Sequence, residues 1–360
     1  MTTLATCPAE RHAQVNGRRL AYVDFGGDGV PVLAVIGHFG RARMFAPLAA
    51  ALAPAYRVIS LEQRGHGHSD SDGDFSREAY VADAAAFVRH LALGPMITLG
   101  HSMGGVTAFQ LAARHPELVS ALVIEEAGAD NRQPQIPHPV LDVTGWPRRA
   151  ATLHELRRQV EARGIPDASY FMESAVEHDD GWGFLFDHAD MMASQQALIG
   201  DWWADWLGSH CPALLVHGAD SFILPTTLAR QMAGRRPGTV LRELPGCGHW
   251  AHDDDPNGFA AAVRDFFARV LGHDMSFPCE WRKLRPRISA LNWRQHLSQG
   301  GSIMGKKEKV KAKAQEIKGM IKERLGADTG DRSREAGGRA TRVKANLKQA
   351  FEKAKDAFKK

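Results

Sequence analysis

The stretch Met96-Ile-Thr-Leu99-Gly100-His101-Ser102-Met103-Gly104-Gly105 runs from a short apolar β-type segment through a glycine-rich turn into a helical stretch, Gly104–Arg114, that Pro116 halts. A serine flanked by glycines is a weak signal alone, because 35 of the 360 residues are Gly. Its position between a strand and a helix makes it informative. A turn that tight lifts the Ser102 hydroxyl above the sheet edge. Gly100 and Gly104 keep side chains out of the crowded bend, and the N-terminus of the following helix favours negative charge that develops there.

Outward from this turn, β-type and helical segments alternate. Leu20–Asp24, Pro31–Ile36, Tyr56–Leu61 and Leu118–Glu125 read as strands, and Met44–Leu52 and Arg77–Leu93 as helices. In the longer helix, Tyr80, Val81, Ala84, Phe87, Val88 and Leu91 recur at helical spacing. Such alternation implies an α/β fold with a mostly parallel sheet covered on both faces. The pattern lapses from about residue 130 to 208, where Pro134, Pro137 and Pro139 cluster and helices are expected at Ala151–Ala162 and Met191–Leu207. Five of the eight tryptophans fall here: Trp146, Trp182, Trp202, Trp203 and Trp206. This region reads as a helical insertion with its own small core, as a lid over an apolar pocket, or as both. The sheet pattern resumes at Ala213–His217 and Val240–Leu244, with helices at Thr226–Ala233 and Gly258–Leu271.

Two further segments join the serine turn. Gln63-Arg64-Gly65-His66-Gly67-His68-Ser69 follows the third expected strand, and Leu244-Pro-Gly-Cys-Gly-His249-Trp250 follows the last one. With these, residues of about 13–272 resemble the α/β-hydrolase fold family of the serine esterase type. The resemblance implies a nucleophile at Ser102 and a catalytic base at His249, since an unactivated serine needs a base within hydrogen-bond reach. His252, three residues on, is a weaker candidate. The acid has two solutions. Family members often place it in a loop after the penultimate strand; in Gly218-Ala-Asp220-Ser221-Phe-Ile-Leu-Pro225 the expected position holds Ser221, and Asp220 is one residue early. Others place it about 24 residues past the nucleophile, which here is Glu126, beside Glu125 at the end of an apolar strand. Two acids there are costly unless their charge has a use. Glu126 is the preferred acid and Asp220 the alternative; with Glu126, Ser221 is expected to add a polar contact to the histidine.

An oxyanion hole needs two N–H donors. The resemblance assigns one to Met103 and, by position, the other to Phe39 in Ile36-Gly37-His38-Phe39-Gly40, where the family's His-Gly order is inverted. A serine nucleophile points to acyl transfer from an ester, thioester, lactone or amide. Aromatic density suggests an apolar substrate, with Trp250, Trp182 and Trp203 as candidate contacts. No metal-ligand spacing or phosphate loop is evident, and no cofactor is expected.

Charge divides the chain. The formal net charge of +4 averages unlike parts: residues 1–274 hold 22 Arg and no Lys against 32 acids, whereas residues 304–360 hold 18 basic residues against 8 acids. Residues 275–303 read as a linker. In 304–360, Val310, Ala314, Ile317, Ile321 and Leu325, then Val343, Leu347, Phe351, Ala354 and Phe358, mark two amphipathic helices. Met304–Gly319, Thr329–Ala336 and Lys344–Ala350 resemble the CsbD-like stress-response family, which implies a small α-helical module without catalytic residues. A small-molecule ester is the expected partner. Nucleic acid is not expected for residues 1–274, and weak anion binding would belong to the basic tail. The start lacks a signal-peptide pattern and no run of 18 apolar residues occurs, so a cytoplasmic location without a membrane span is expected. The competing readings are a non-catalytic binding or signalling protein on the same fold, and a stress protein whose business lies in the tail.

Overall fold

The computed structural model describes residues 8–71 and 73–272. The linker expected at 275–303 and the helical module at 304–360 lie outside the described residues. In chain order the elements are β1 (Glu10–Val15), β2 (Arg18–Asp24), β3 (Val30–Val35), α1 (Ala46–Leu52), β4 (Tyr56–Leu61), α2 (Arg77–Leu91), β5 (Met96–His101), α3 (Met103–Arg114) and β6 (Val119–Glu125). An insertion follows, with α4 (Leu153–Glu161), α5 (Ser169–Met172), the pair β7 (Ala175–His178) and β8 (Gly181–Phe184), α6 (His188–Leu198) and α7 (Trp203–Gly208). Then come β9 (Ala213–Gly218), α8 (Thr226–Arg235), β10 (Thr239–Leu244), α9 (Ala251–Asp254) and α10 (Pro256–Gly272).

Eight strands form one sheet in the order β1-β2-β4-β3-β5-β6-β9-β10. Pairing is parallel from β4 through β10, and antiparallel where β1 meets β2 and β2 meets β4. All six residues of β5 are buried, because both faces are covered; that is why the segment reads as an almost unbroken apolar run. On one face, Phe45, Leu48 and Leu52 pack with Phe259, Val263 and Phe267 of α10. On the other, Phe87 of α2, Phe109 of α3, Trp206 of α7 and Leu228 of α8 share a second core. Each such side chain contributes about 1.5–3 kcal/mol by leaving water, so the sheet is a stiff platform for the loops at its carboxyl edge.

The structure departs from the sequence expectations in three places. The edge strand β1, Glu-Arg-His-Ala-Gln-Val, was not expected; only Ala13 and Val15 are buried in it, which leaves little apolar signal. The helix expected over Met191–Leu207 is two helices. It breaks at Ile199–Trp202, where Gly200 lies against the Trp202 ring and the Asp201 carboxylate accepts from the Trp203 N–H at 3.1 Å, a local turn ahead of α7. The insertion also holds the β7–β8 hairpin in a stretch with no clear β alternation. It has its own core, with Trp146, Leu156, Val160, Phe171, Phe184 and Met191 buried together against Phe39.

Candidate active site

Ser102 caps α3 with φ +54° and ψ −121°. A non-glycine residue held there costs on the order of 1–3 kcal/mol, so its surroundings must impose it. The Ser102 N–H donates to the Glu125 carbonyl at 2.8 Å, and the Ser102 carbonyl accepts from the N–H groups of Gly105 and Val106 at 2.9 and 3.2 Å. A Cβ on Gly100 would lie 2.2 Å from the Gly104 carbonyl oxygen, and one on Gly104 would lie 2.2 Å from that of Val35. The two glycines are therefore what lets the helix start so close to the sheet. The turn brings Ser102 Oγ to 3.0 Å from Nε2 of His249, which the loop after β10 supplies across 147 residues of sequence.

Glu126 follows β6 at φ +53° and is fully buried. Its carboxylate lies 3.4 Å from His249 Nδ1 and 2.9 Å from His217 Nδ1, and accepts from the Gly218 N–H at 2.7 Å and from the Ser221 hydroxyl. Burial pushes the Glu126 pKa up, but the hydrogen bonds from His217, His249 and Ser221 and the charge of His249 outweigh it, and the carboxyl sits below its ordinary 4.5. Ser221 thus meets the carboxylate. Asp220 goes elsewhere: its N–H donates to the Cys247 carbonyl at 2.9 Å, and the residue is exposed. One position along a loop at a strand end redirects the side chain, so the alternative acid is not brought to His249.

The loop after β3 approaches the serine closely. A Cβ on Gly37 would lie 2.9 Å from Ser102 Cβ and 2.8 Å from His101 Nδ1, so this position requires glycine whatever follows it. The left-handed angle falls on Phe39 (φ +65°), not on His38; inverting the His-Gly order therefore leaves His38 unstrained. Gln63 holds the loop by donating from Nε2 to the Ile36 carbonyl at 2.8 Å, while its Oε1 accepts from the Thr107 hydroxyl at 2.9 Å. The Ser174 hydroxyl and the Tyr170 hydroxyl bind the carbonyls of Phe39 and His38 at 2.5 and 3.0 Å. Among the described residues, the N–H groups of Phe39 and Met103 meet no acceptor.

A cavity of about 510 Å³ opens above Ser102, His249 and Phe39, within the ordinary range for small-molecule sites. Its walls are mainly apolar, with Ile136, Leu141, Ile165, Phe171 and Leu198 from the insertion and Trp250 and Phe222 near the histidine; among the described residues no Arg or Lys lines it. Phe222 is 61% exposed and touches the rings of His249 and Trp250. Trp182 and Trp203 do not line the cavity. Trp182 is half-buried against the insertion's core and paired to Ala150, and Trp203 lies against the main core under the Arg235 guanidinium at 4.0 Å. Large aromatic rings in a small insertion are consumed as core first.

Sequence reasoning did not assign His217, whose signal was a histidine ending an apolar strand. It also gave no partners to His101 or His38. His101 Nε2 lies 2.9 Å from the His249 carbonyl, and His252 pairs with Glu125 through Nδ1 and its own N–H, both at 2.8 Å. His252 is thus engaged on the sealed side and does not approach Ser102.

Comparison with known proteins agrees with this architecture. Residues 32–262 match the family model described as alpha/beta hydrolase family, and residues 308–360 match the CsbD-like model. A putative esterase/lipase of Haemophilus influenzae is 27% identical over 244 residues, covering 66% of this chain and 83% of that protein. A 2-(acetamidomethylene)succinate hydrolase of Mesorhizobium japonicum is 27% identical over 251 residues, covering 67% of this chain and 88% of that protein. An α/β-hydrolase structure from Novosphingobium aromaticivorans superposes with a TM-score of 0.61 at 27% identity, over 72% of this chain and 98% of that one. No helix among the described residues is long and apolar enough to cross a membrane. With its sheet order, serine turn and family match taken together, the chain belongs to the alpha/beta hydrolase family and carries a CsbD-like segment at its C-terminal end.

Proposed function

We propose that the chain is a serine hydrolase that cleaves a carboxylic ester, or a related acyl compound, through an acyl-enzyme. The observation that carries this reading is the line from Ser102 Oγ to His249 Nε2 at 3.0 Å and from His249 Nδ1 to the buried Glu126 carboxylate, set at the floor of an apolar cavity. His249 takes the Ser102 proton as the hydroxyl attacks the acyl carbonyl. The N–H groups of Phe39 and Met103 receive the oxyanion, and the α3 N-terminus adds its dipole. His249 then protonates the departing alcohol, and water, activated by the same imidazole, releases the acid. Glu126 holds the histidine's tautomer and stabilises the imidazolium. Residues 130–208 act as a lid that supplies one wall of the cavity.

The lining favours a neutral, apolar substrate. A dicarboxylate such as the succinate in the name of the Mesorhizobium relative would find no Arg or Lys among the described residues of the cavity wall to pair its charge in an apolar enclosure. A fluorophosphonate probe tests the reading: intact protein is expected to label, and Ser102→Ala is not. No labelling of intact protein would overturn it. A panel of esters of graded acyl length, with one diacid monoester included, tests the substrate class; a preference for the diacid would contradict it.

A further inference from the structure

His38 takes the position at which the resembled family has glycine, and its side chain joins a buried relay. Its Nε2 lies 2.9 Å from the Ser194 hydroxyl on α6, and Ser194 Oγ lies 2.7 Å from the Tyr80 hydroxyl on α2. Ser194 and Tyr80 are 0% and 1% exposed. His38 itself is half-buried and lines the cavity beside Phe39. Among the described residues its Nδ1 has no hydrogen-bond partner, and it is not among the sealed-off polar atoms, which leaves it open to the cavity that His38 lines.

The direction of the relay follows from acid strength. A phenol is a better donor and a poorer acceptor than an aliphatic alcohol, so the short 2.7 Å contact takes the Tyr80 proton; the Arg64 carbonyl, at 3.5 Å, competes weakly. Burial pushes the Tyr80 phenol up to about 12, which still leaves it a stronger acid than an aliphatic alcohol, and the guanidinium groups of Arg77 and Arg64, 5.0 and 5.8 Å from its ring centroid, offset part of that rise. Ser194, having accepted from Tyr80, gives its own proton to the good acceptor Nε2 of His38; its other neighbour, Met103 Sδ at 3.6 Å, is a poor acceptor. Two bonds pointing one way reinforce each other. The imidazole proton is thereby fixed on Nδ1. Burial, then the nearby His66 and Arg77, keep the ring neutral, holding its pKa well below 6.5.

We infer that His38 is a specificity-determining residue: the Tyr80–Ser194–His38 relay presents an Nδ1–H to the cavity beside the scissile carbonyl, and preferred substrates carry a second acceptor oxygen there. The substrate class is an ester with an ether, keto or hydroxyl oxygen close to its carbonyl. This rests on the hydrolase reading of Ser102.

The test compares 4-nitrophenyl methoxyacetate with 4-nitrophenyl butanoate, which share a leaving group and nearly the same shape. Their kcat/KM ratio is divided by the ratio of their alkaline hydrolysis rates. The intact chain is expected to favour the methoxyacetate by about tenfold after this correction, and His38→Phe to bring the corrected ratio near one. Ser194→Ala and Tyr80→Phe leave the loop sequence untouched and are each expected to lower the ratio part of the way. Equal loss on both esters in all three variants, or an unchanged ratio, would overturn the inference. Fluorophosphonate labelling on the same samples separates the failures: labelled protein with an unmoved ratio defeats the role of His38 alone, and unlabelled intact chain defeats the hydrolase reading with it.

Discussion

Two sets of three residues stand back to back at the carboxyl edge of the sheet. Ser102, Glu126 and His249 face the cavity; His101, Glu125 and His252 face the sealed side. They are close sequence neighbours, placed by the same strand ends and the same terminal loop. Successive residues leaving a strand point to opposite sides, which parts Ser102 from His101 and Glu126 from Glu125; His249 lies in the terminal loop and His252 three residues on, in α9. The chemistry differs because the surroundings differ. Glu126 meets His217, Gly218, Ser221 and His249, whereas both partners of Glu125 meet Oε1 and its buried Oε2 meets none. Burial works against a charged His252, but the charge and hydrogen bond of Glu125, with Asp253 and Asp254, outweigh it and raise its pKa above 6.5. His101 stays neutral, pushed down by burial and by the neighbouring His249 and His252. A histidine–carboxylate pair is therefore not a reactive unit in itself; on the proposed reading, the serine and the opening beside one pair assign the chemistry to it.

The sharpest way to break this contrast is to remove the nucleophile. Ser102→Ala is expected to lower kcat about 10⁵–10⁶-fold in a steady-state ester assay; a loss below a hundredfold would place the reaction elsewhere. Glu126→Gln is expected to cost about 10⁴-fold in kcat, and Glu125→Gln less than tenfold under the same assay. Similar losses from both would erase the distinction between the sets. Stability should separate them on another axis: Glu125→Gln breaks a buried pair and is expected to cost about 3 kcal/mol, read from the urea midpoint. The pH dependence of that loss carries a sign. His252 has a raised folded pKa, so its stabilisation is complete below 6.5 and disappears as pH rises through the folded value. Glu126 has a lowered one, so its contribution is present above 4.5 and is lost as pH falls through the folded value. The stability gap between the intact chain and Glu125→Gln should accordingly shrink from pH 6 to pH 9, and a gap that widens would contradict the ion-pair reading. The smallest effect belongs to Asp220→Asn, expected within twofold in kcat/KM.

Much of this could be read in the sequence because it rests on short-range constraints. The serine turn, the parallel strands and their covering helices leave local patterns, whereas Glu126 is reached through the resemblance, from where some members of that family carry the acid. The placement of Asp220 could not be read, because one residue at a strand end decides where the carboxylate points. Trp182 and Trp203 misled for a related reason: composition says that rings will be buried, not in which core. The relay through His38 and Ser194 joins residues 156 apart on elements that meet only when the insertion folds back over the sheet, and the break of α6 from α7 depends on Gly200 packing beneath Trp202. Neither leaves a periodic trace.

The strand order has a kinetic consequence. Ser102 follows β5 and His249 follows β10, with β6 and β9 lying between these strands in the sheet. β10 pairs with β9 only 26 residues earlier (Thr239 with Ala213), but β9 pairs with β6 across 91 residues (Leu122 with Ala213), and pairings so distant in sequence form slowly. During refolding, helix content and core burial around β3–β6 can recover while the reaction centre is still incomplete. On the proposed hydrolase reading, ester turnover is a clock for the docking of β9 and β10, and it should lag behind far-ultraviolet circular dichroism in every refolding experiment.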